Sequence, residues 1–89
     1  MNITSQALTQ RLQERLNPVF VEVLDESASH AGHVGANSSG LGTHFRVRIQ
    51  SERFTGKSRV SRHRLVYDAL QEYIDQGLHA LAIEVIENT

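Results

Sequence analysis

The sequence predicts an α+β fold in the order α-β-β-α(α)-β, with one mixed three-stranded sheet and its helices packed on one face. Three observations carry this. Apolar residues recur every three to four positions from Ile3 to Leu16, and again in a helical stretch after Ser58. Apolar and polar residues alternate over 44–50, the period of a half-buried strand, and the apolar run 19–24 reads as a second strand with Val19, Val21 and Val23 on one face. A helical crossover separates the second strand from the third, which sets those two parallel and makes the crossover right-handed. The first two strands, joined by a loop, form an antiparallel pair. The 89 residues contain no internal repeat and fit a single domain, 1–89, around one modest core.

The first helix carries Ile3, Ala7, Leu8, Leu12 and Leu16 on one face and Gln10, Arg11, Gln13 and Glu14 on the other. Thr4 or Ser5 can cap it. Asn17-Pro18 stops it, because proline disfavours helical geometry in the residue before it. Its polar face is too weakly basic for a helix lying on a membrane. In the strand Val19 to Leu24, Val19, Val21 and Val23 point one way; Phe20, Glu22 and Leu24 point the other. Asp25-Glu26-Ser27 ends it. Residues 26–42 hold four of the six glycines and read as a long loop. Loops above roughly 12–15 residues in a compact domain are usually functional or disordered, so His30 and His33 become candidates.

His44 to Gln50 is the next strand, with Phe45, Val47 and Ile49 on its apolar side and His44, Arg46, Arg48 and Gln50 on a wet side. Arg53 to Gly56 forms a turn that tucks Phe54 into the core. A helical stretch runs from about Ser58, its cap, to Gln76, with Val60, Leu65, Val66, Tyr67 and Leu70 on the buried side. A break near Ser61 or Arg62 would divide it into one short and one long helix. Gly77 suits the C-terminal end. His79 to Ile86 is nearly all apolar and is expected to be the central or best-buried strand. The expected core includes Leu12, Leu16, Val21, Val23, Phe45, Val47, Leu70 and Ile83.

Composition narrows the function classes. A hydrophobic content of 39% and a charged content of 21% suit a globular chain. No apolar run approaches the roughly 20 residues of a membrane span, and the first residues lack the pattern of a secretory signal. The absence of cysteine excludes disulfides, a nucleophilic thiol and an all-cysteine metal site within the chain, and fits a cytoplasmic setting. The sequence shows no acid pair, nucleophile with base, or phosphate loop; Ser58 and His63 stand five apart, a spacing a helix does not bring together. The reading is not an enzyme.

The net charge of −1 hides a segregation. Residues 46–64 hold seven of the nine Lys and Arg against the single acid Glu52, whereas 65–89 hold five acids and no Lys or Arg. Arg53, Lys57, Arg59, Arg62, His63 and Arg64 crowd the turn and the helix start, as a nucleic-acid or partner-binding surface would. A domain built only to grip nucleic acid is usually basic overall, which this chain is not. Topology also groups histidines. If the last two strands are parallel, His79 lies beside His44 and under the loop carrying His30 and His33. Neutral imidazole is the commonest protein metal ligand, but these residues lack a zinc-ligand spacing.

Phe54-x-Gly56-x-Ser58-x-x-x-Arg62-His63-Arg64-x-Val66-Tyr67 resembles the BolA family. VFVEVLDES after Pro18, THFRVRI at 43–49 and LHALAIEV at 78–85 are similar to family segments in the family's order, so the resemblance covers nearly the whole chain. It implies a fold similar to a type II KH domain. It implies a partner, a monothiol glutaredoxin, with which BolA-like proteins share a 2Fe–2S cluster in iron–sulfur cluster assembly or trafficking. On the BolA side the implied ligands are His79 at the head of the last strand and His30 in the loop, with His33 as the alternative. The thiolates would come from the glutaredoxin and its glutathione, so the chain alone would be a monomer without a cluster. The family also implies a DNA-binding transcriptional regulator of stress response and cell morphology. For that role the 53–64 segment departs from the KH pattern: Lys57-Ser58-Arg59 follows Gly56, so the second glycine of Gly-x-x-Gly is missing.

Overall fold

Thr4 opens the first element. Its extended backbone turns the hydroxyl onto the Ala7 amide at 3.1 Å and starts α1, Ser5–Leu16. Asn17 ends the helix in the left-handed conformation, φ 43°, with its amide on the Gln13 carbonyl. The computed structural model describes residues 3–26, 44–78 and 80–87. The histidine-bearing loop and His79 therefore lie outside the described residues.

The sheet has three strands in the order β1 (Phe20–Asp25), β2 (His44–Gln50), β3 (Ala80–Val85). β1 and β2 are antiparallel, with Val23 opposite Val47; β2 and β3 are parallel, with Val47 opposite Ile83. Both pairings are those expected. The expectation that the last strand is central is corrected: β2 is central and β3 is an edge. Because β1 occupies one side of β2, the crossover delivers β3 to the other. Its apolar sequence has a different cause. Leu81, Ile83 and Val85 face the helices, while Ala80 and Ala82 stand on the open face.

Burial follows from that order. Phe45, Val47 and Ile49 on β2 are buried, together with Leu8, Leu12 and Leu16 of α1. Val21, Val23 and Ile83, expected in the core, are only half-buried because they sit on the two edge strands. Ser51 is buried too. Its hydroxyl donates to the Leu16 carbonyl at 2.7 Å and accepts from the Arg53 amide, tying the end of α1 to the end of β2.

A 3-10 turn, Glu52–Phe54, seats Phe54 in the core at 1% exposure. Phe54 to Lys57 then make a β-turn closed by the Lys57 amide on the Phe54 carbonyl at 3.1 Å. Thr55 at φ −60°, ψ 129° and Gly56 at φ 75° give it type II geometry, which requires a residue that accepts positive φ. Ser58 caps α2, Arg59–Ala69, by accepting from the Ser61 amide at 3.1 Å.

The helical stretch does break, but at Leu70 rather than near Ser61 or Arg62. Ser61 lies in the capped first turn and the Arg62 amide bonds the Ser58 carbonyl, so nothing interrupts the ladder there. Leu70, at φ −106° and ψ 11°, shares its amide between the Val66 and Tyr67 carbonyls and divides α2 from α3, Gln71–Asp75. Beyond α3, the Gly77 amide bonds Ile74 and the Leu78 amide bonds Tyr73, a Schellman closure with Gly77 at φ 118°. It turns buried Leu78 under the helices and aims the chain into β3. α1 is fastened to α3 by Arg11, which pairs with Glu72 at 2.8 Å and stands over the Tyr73 ring. The Glu72 hydrogen bond, first among the causes, holds the Arg11 guanidinium above its ordinary pKa.

Candidate functional site

Two regions carry the chemistry the sequence pointed to. The first is the end of the sheet where β1 finishes and both β2 and β3 begin. The Glu26 amide bonds the His44 carbonyl at 2.8 Å, and His44 is registered with Ala80. Glu26 and His44 are the described residues that bound the long loop; Leu78 and Ala80 bound His79. Glu26, His44 and Ala80 therefore meet at one end of the sheet. A cleft of about 290 Å³ is lined there by Glu26, His44, Phe45, Arg46, Ala80, Leu81 and Ala82. The expected ligands His79, His30 and His33 lie outside the described residues. Among the described residues no group of three or more His, Cys, Asp or Glu is arranged to hold a metal.

The second region is the start of α2. Arg53 on the 3-10 turn, Lys57 after it, and Arg59 and Arg64 on the helix are exposed. None of the four forms an ion pair with a described residue. Arg62 differs from them. Its Nε donates to the Phe54 carbonyl at 3.0 Å and its other arm reaches Glu87 at 2.8 Å, so it fastens helix to turn and to the end of β3. His63 is half-buried and, with Arg59, lines grooves on both sides of the helix. Ser58 acts as a cap. Its hydroxyl also donates to Ser61 at 3.1 Å, so it is not poised against His63 as a nucleophile.

Sequence reasoning missed an apolar component of this surface. Val60 and Tyr67, expected on the buried side, are 69% and 40% exposed. They share a shallow groove of about 430 Å³ with Arg59, His63, Arg64 and Asp68. The signal was available. At 100° per residue, Val60 and Tyr67 stand roughly 100–120° around the helix from Val66, which is fully buried. The Tyr67 hydroxyl comes within 3.5 Å of the Leu81 carbonyl, long for a hydrogen bond.

The other basic residues of the 46–64 segment, Arg46 and Arg48, lie on the open face of the sheet among acids. Arg48 bridges Glu22 at 3.2 Å and Glu84 at 3.1 Å; Arg46 bridges Glu84 at 3.0 Å and Glu26 at 3.2 Å. The chain of pairs spans all three strands. Its hydrogen bond to Glu26, and next the charge of that carboxylate, hold Arg46 above its ordinary pKa.

The family described as BolA-like protein matches residues 12–88. A SufE-like protein 1 of Arabidopsis thaliana, named as chloroplastic/mitochondrial, is 48% identical over 79 residues, covering 85% of this chain and 21% of that protein. The DNA-binding transcriptional regulator BolA of Escherichia coli (strain K12) is 40% identical over 80 residues, covering 85% of this chain and 71% of that one. Among solved structures, BolA1 from Arabidopsis thaliana superimposes with a TM-score of 0.80 at 41% identity, covering 96% of this chain and 92% of that one. The chain spans only part of the length of the curated relatives it matches, about a fifth in the first case.

Proposed function

This chain belongs to the BolA-like family, and from that premise we propose that it is an accessory protein of iron–sulfur cluster assembly or trafficking that pairs with a monothiol glutaredoxin. The supporting observation is the shared end of the sheet. Glu26 and His44, which bound the long loop, meet Ala80, which follows His79 in the chain. In this proposal His79 and His30, with His33 as the alternative to His30, hold the BolA side of a 2Fe–2S cluster whose thiolates the glutaredoxin and its glutathione supply. Histidine in place of cysteine raises the reduction potential of such a cluster. The chain alone is then a monomer without a cluster and the loaded species a heterodimer. The role is accessory, with no catalytic step. A cytoplasmic setting belongs to the same proposal; the Arabidopsis SufE-like relative is named for organelles instead.

The test is anaerobic reconstitution of the chain with a monothiol glutaredoxin and glutathione, followed by visible absorption of the co-purified complex. His79→Ala is expected to abolish the mixed-cluster spectrum, and His30→Ala to weaken it. A His30/His33/His79→Ala triple variant whose spectrum matches the wild type ends the assignment.

A second reading, a DNA-binding regulator, is supported by a separate observation. Arg53, Lys57, Arg59 and Arg64 are exposed at one turn and helix start, and the E. coli relative is named as a DNA-binding transcriptional regulator. Such cations would contact phosphates, so affinity would fall steeply with salt.

A further inference from the structure

Among the described residues, no strand lies on the side of β3 away from β2. The Ile86 amide donates to the Ile49 carbonyl at 2.8 Å. In a parallel ladder the residues of one strand bond its neighbour alternately, so the main-chain groups of Ala80, Ala82 and Glu84 also face β2. Those of Leu81, Ile83 and Val85 then point outward in the plane of the sheet. Among the described residues β3 pairs only with β2. The Leu81 carbonyl has the long contact with Tyr67; Ile83 and Val85 have no described partner on that side. Proteins usually blunt such an edge with proline, lysine, a bulge or a covering element. The strand ALAIEV has neither proline nor lysine.

Space and charge lie beside it. A groove of about 350 Å³ runs between this edge and α2, lined by Ile83, Glu84, Val85 and Glu87 on one side and Arg59, Arg62 and His63 on the other. Both acids of the groove are already engaged, Glu84 with Arg46 and Arg48, Glu87 with Arg62. Arg59 has no described partner, and His63 stands one turn along the same helix. The groove therefore offers outward N–H and C=O groups along one wall and, along the other, the Arg59 cation, which has no acid paired to it among the described residues.

We propose that β3 takes a fourth strand here: an extended acidic segment of a partner protein, which pairs with Ile83 and Val85 and turns its carboxylates toward Arg59 and His63. Main-chain hydrogen bonds would supply affinity, and the alternate side chains facing α2 would supply selectivity. The proposal is independent of cluster binding, which concerns the head of β3 rather than its edge.

The probe is an acetylated, amidated octapeptide of alternating threonine and glutamate, titrated into the labelled chain and followed by amide NMR and hydrogen exchange. Binding is expected to slow exchange at Ile83 and Val85. Arg59→Glu, which places an acid in the first turn where a helix tolerates it, is expected to weaken binding at least tenfold while preserving the fold. Two further peptides keep the test independent of the protein's folding. One is N-methylated at every threonine, the other at every glutamate. Only one set of amides can face β3, so one peptide is expected to bind and the other to fail. Equal binding by both, or shifts at Arg59 without protection at Ile83 and Val85, overturns the proposal. So does protection of those amides by a single-stranded oligonucleotide but not by the octapeptide.

Discussion

The open face of the sheet and the start of α2 draw their cations from one stretch of sequence and use them in opposite ways. On the sheet, Arg46 and Arg48 alternate with Glu22, Glu26 and Glu84 in a chain of four ion pairs. At the helix, Arg53, Lys57, Arg59 and Arg64 form no ion pair with a described residue, although Asp68 lines the same groove as Arg59 and Arg64. A run of charge in sequence is therefore not one surface. The sheet cations meet acids delivered by β1 and β3, which are distant in sequence and adjacent in space. Their charge is balanced locally and has little left to offer a polyanion. The helix cations keep theirs, next to two exposed apolar residues, Val60 and Tyr67.

The core under both regions sets the scale of any effect. Leu70 is fully buried at the joint between α2 and α3, so Leu70→Ala should cost about 2–5 kcal/mol in chemical denaturation. Ile83, half-buried on an edge, should lose less on truncation, roughly 1–3 kcal/mol. Equal losses at the two positions would show that β3 is as well covered as the helix joint.

A smaller effect tests the sheet side of the comparison. Glu84→Gln removes the carboxylate charge that Arg46 and Arg48 share. Half-exposed pairs are worth about 0.2–1 kcal/mol each and are screened by salt. The variant should therefore be about 0.5–1 kcal/mol less stable than the wild type at low ionic strength, and the gap should close at roughly 1 M salt. A gap that stays constant with salt would mean that Glu84 acts through packing and that the ladder is not an electrostatic device.

Much of this was legible in the sequence, and the residues that were not share a cause. Alternation gave β2 to the residue, because a central strand with one wet face keeps a period of two. Ser58, Phe54 and Gly77 were readable because caps, a core aromatic and a left-handed glycine are local requirements. β3 was misjudged as central because apolar content reports burial on the two faces of a strand, not whether its edge is paired. Val60 and Tyr67 were misjudged by apolarity alone, without the angular position on the helix. The split of the basic segment depends on Glu22, Glu26 and Glu84, which only the strand order brings to Arg46 and Arg48. Arg62 was counted with the free cations because its partner, Glu87, is 25 residues away. The candidate ligands His30, His33 and His79 remain readings of the sequence, since they lie outside the described residues.

The smallest expected change in stability tests the helix side and carries the functional question. Arg59 and Arg64 are exposed and make no described pair, so an Arg59/Arg64→Ala variant should stay within about 0.5 kcal/mol of the wild type. Arg62 is left in place because its ties to Phe54 and Glu87 would confuse binding with folding. If the helix start contacts duplex DNA, each lost phosphate contact should flatten the dependence of log affinity on log salt by about 0.9. The double variant should then show a slope shallower by roughly 2. Arg46/Arg48→Ala is the matched control, with the same loss of charge from the other region. It should lower stability and leave the slope unchanged, because those guanidiniums are already held by carboxylates. Should both variants flatten the slope alike, local pairing would not decide which cations reach a polyanion. A wild type that binds no duplex at about 0.1 M salt would remove direct DNA binding from this helix start altogether.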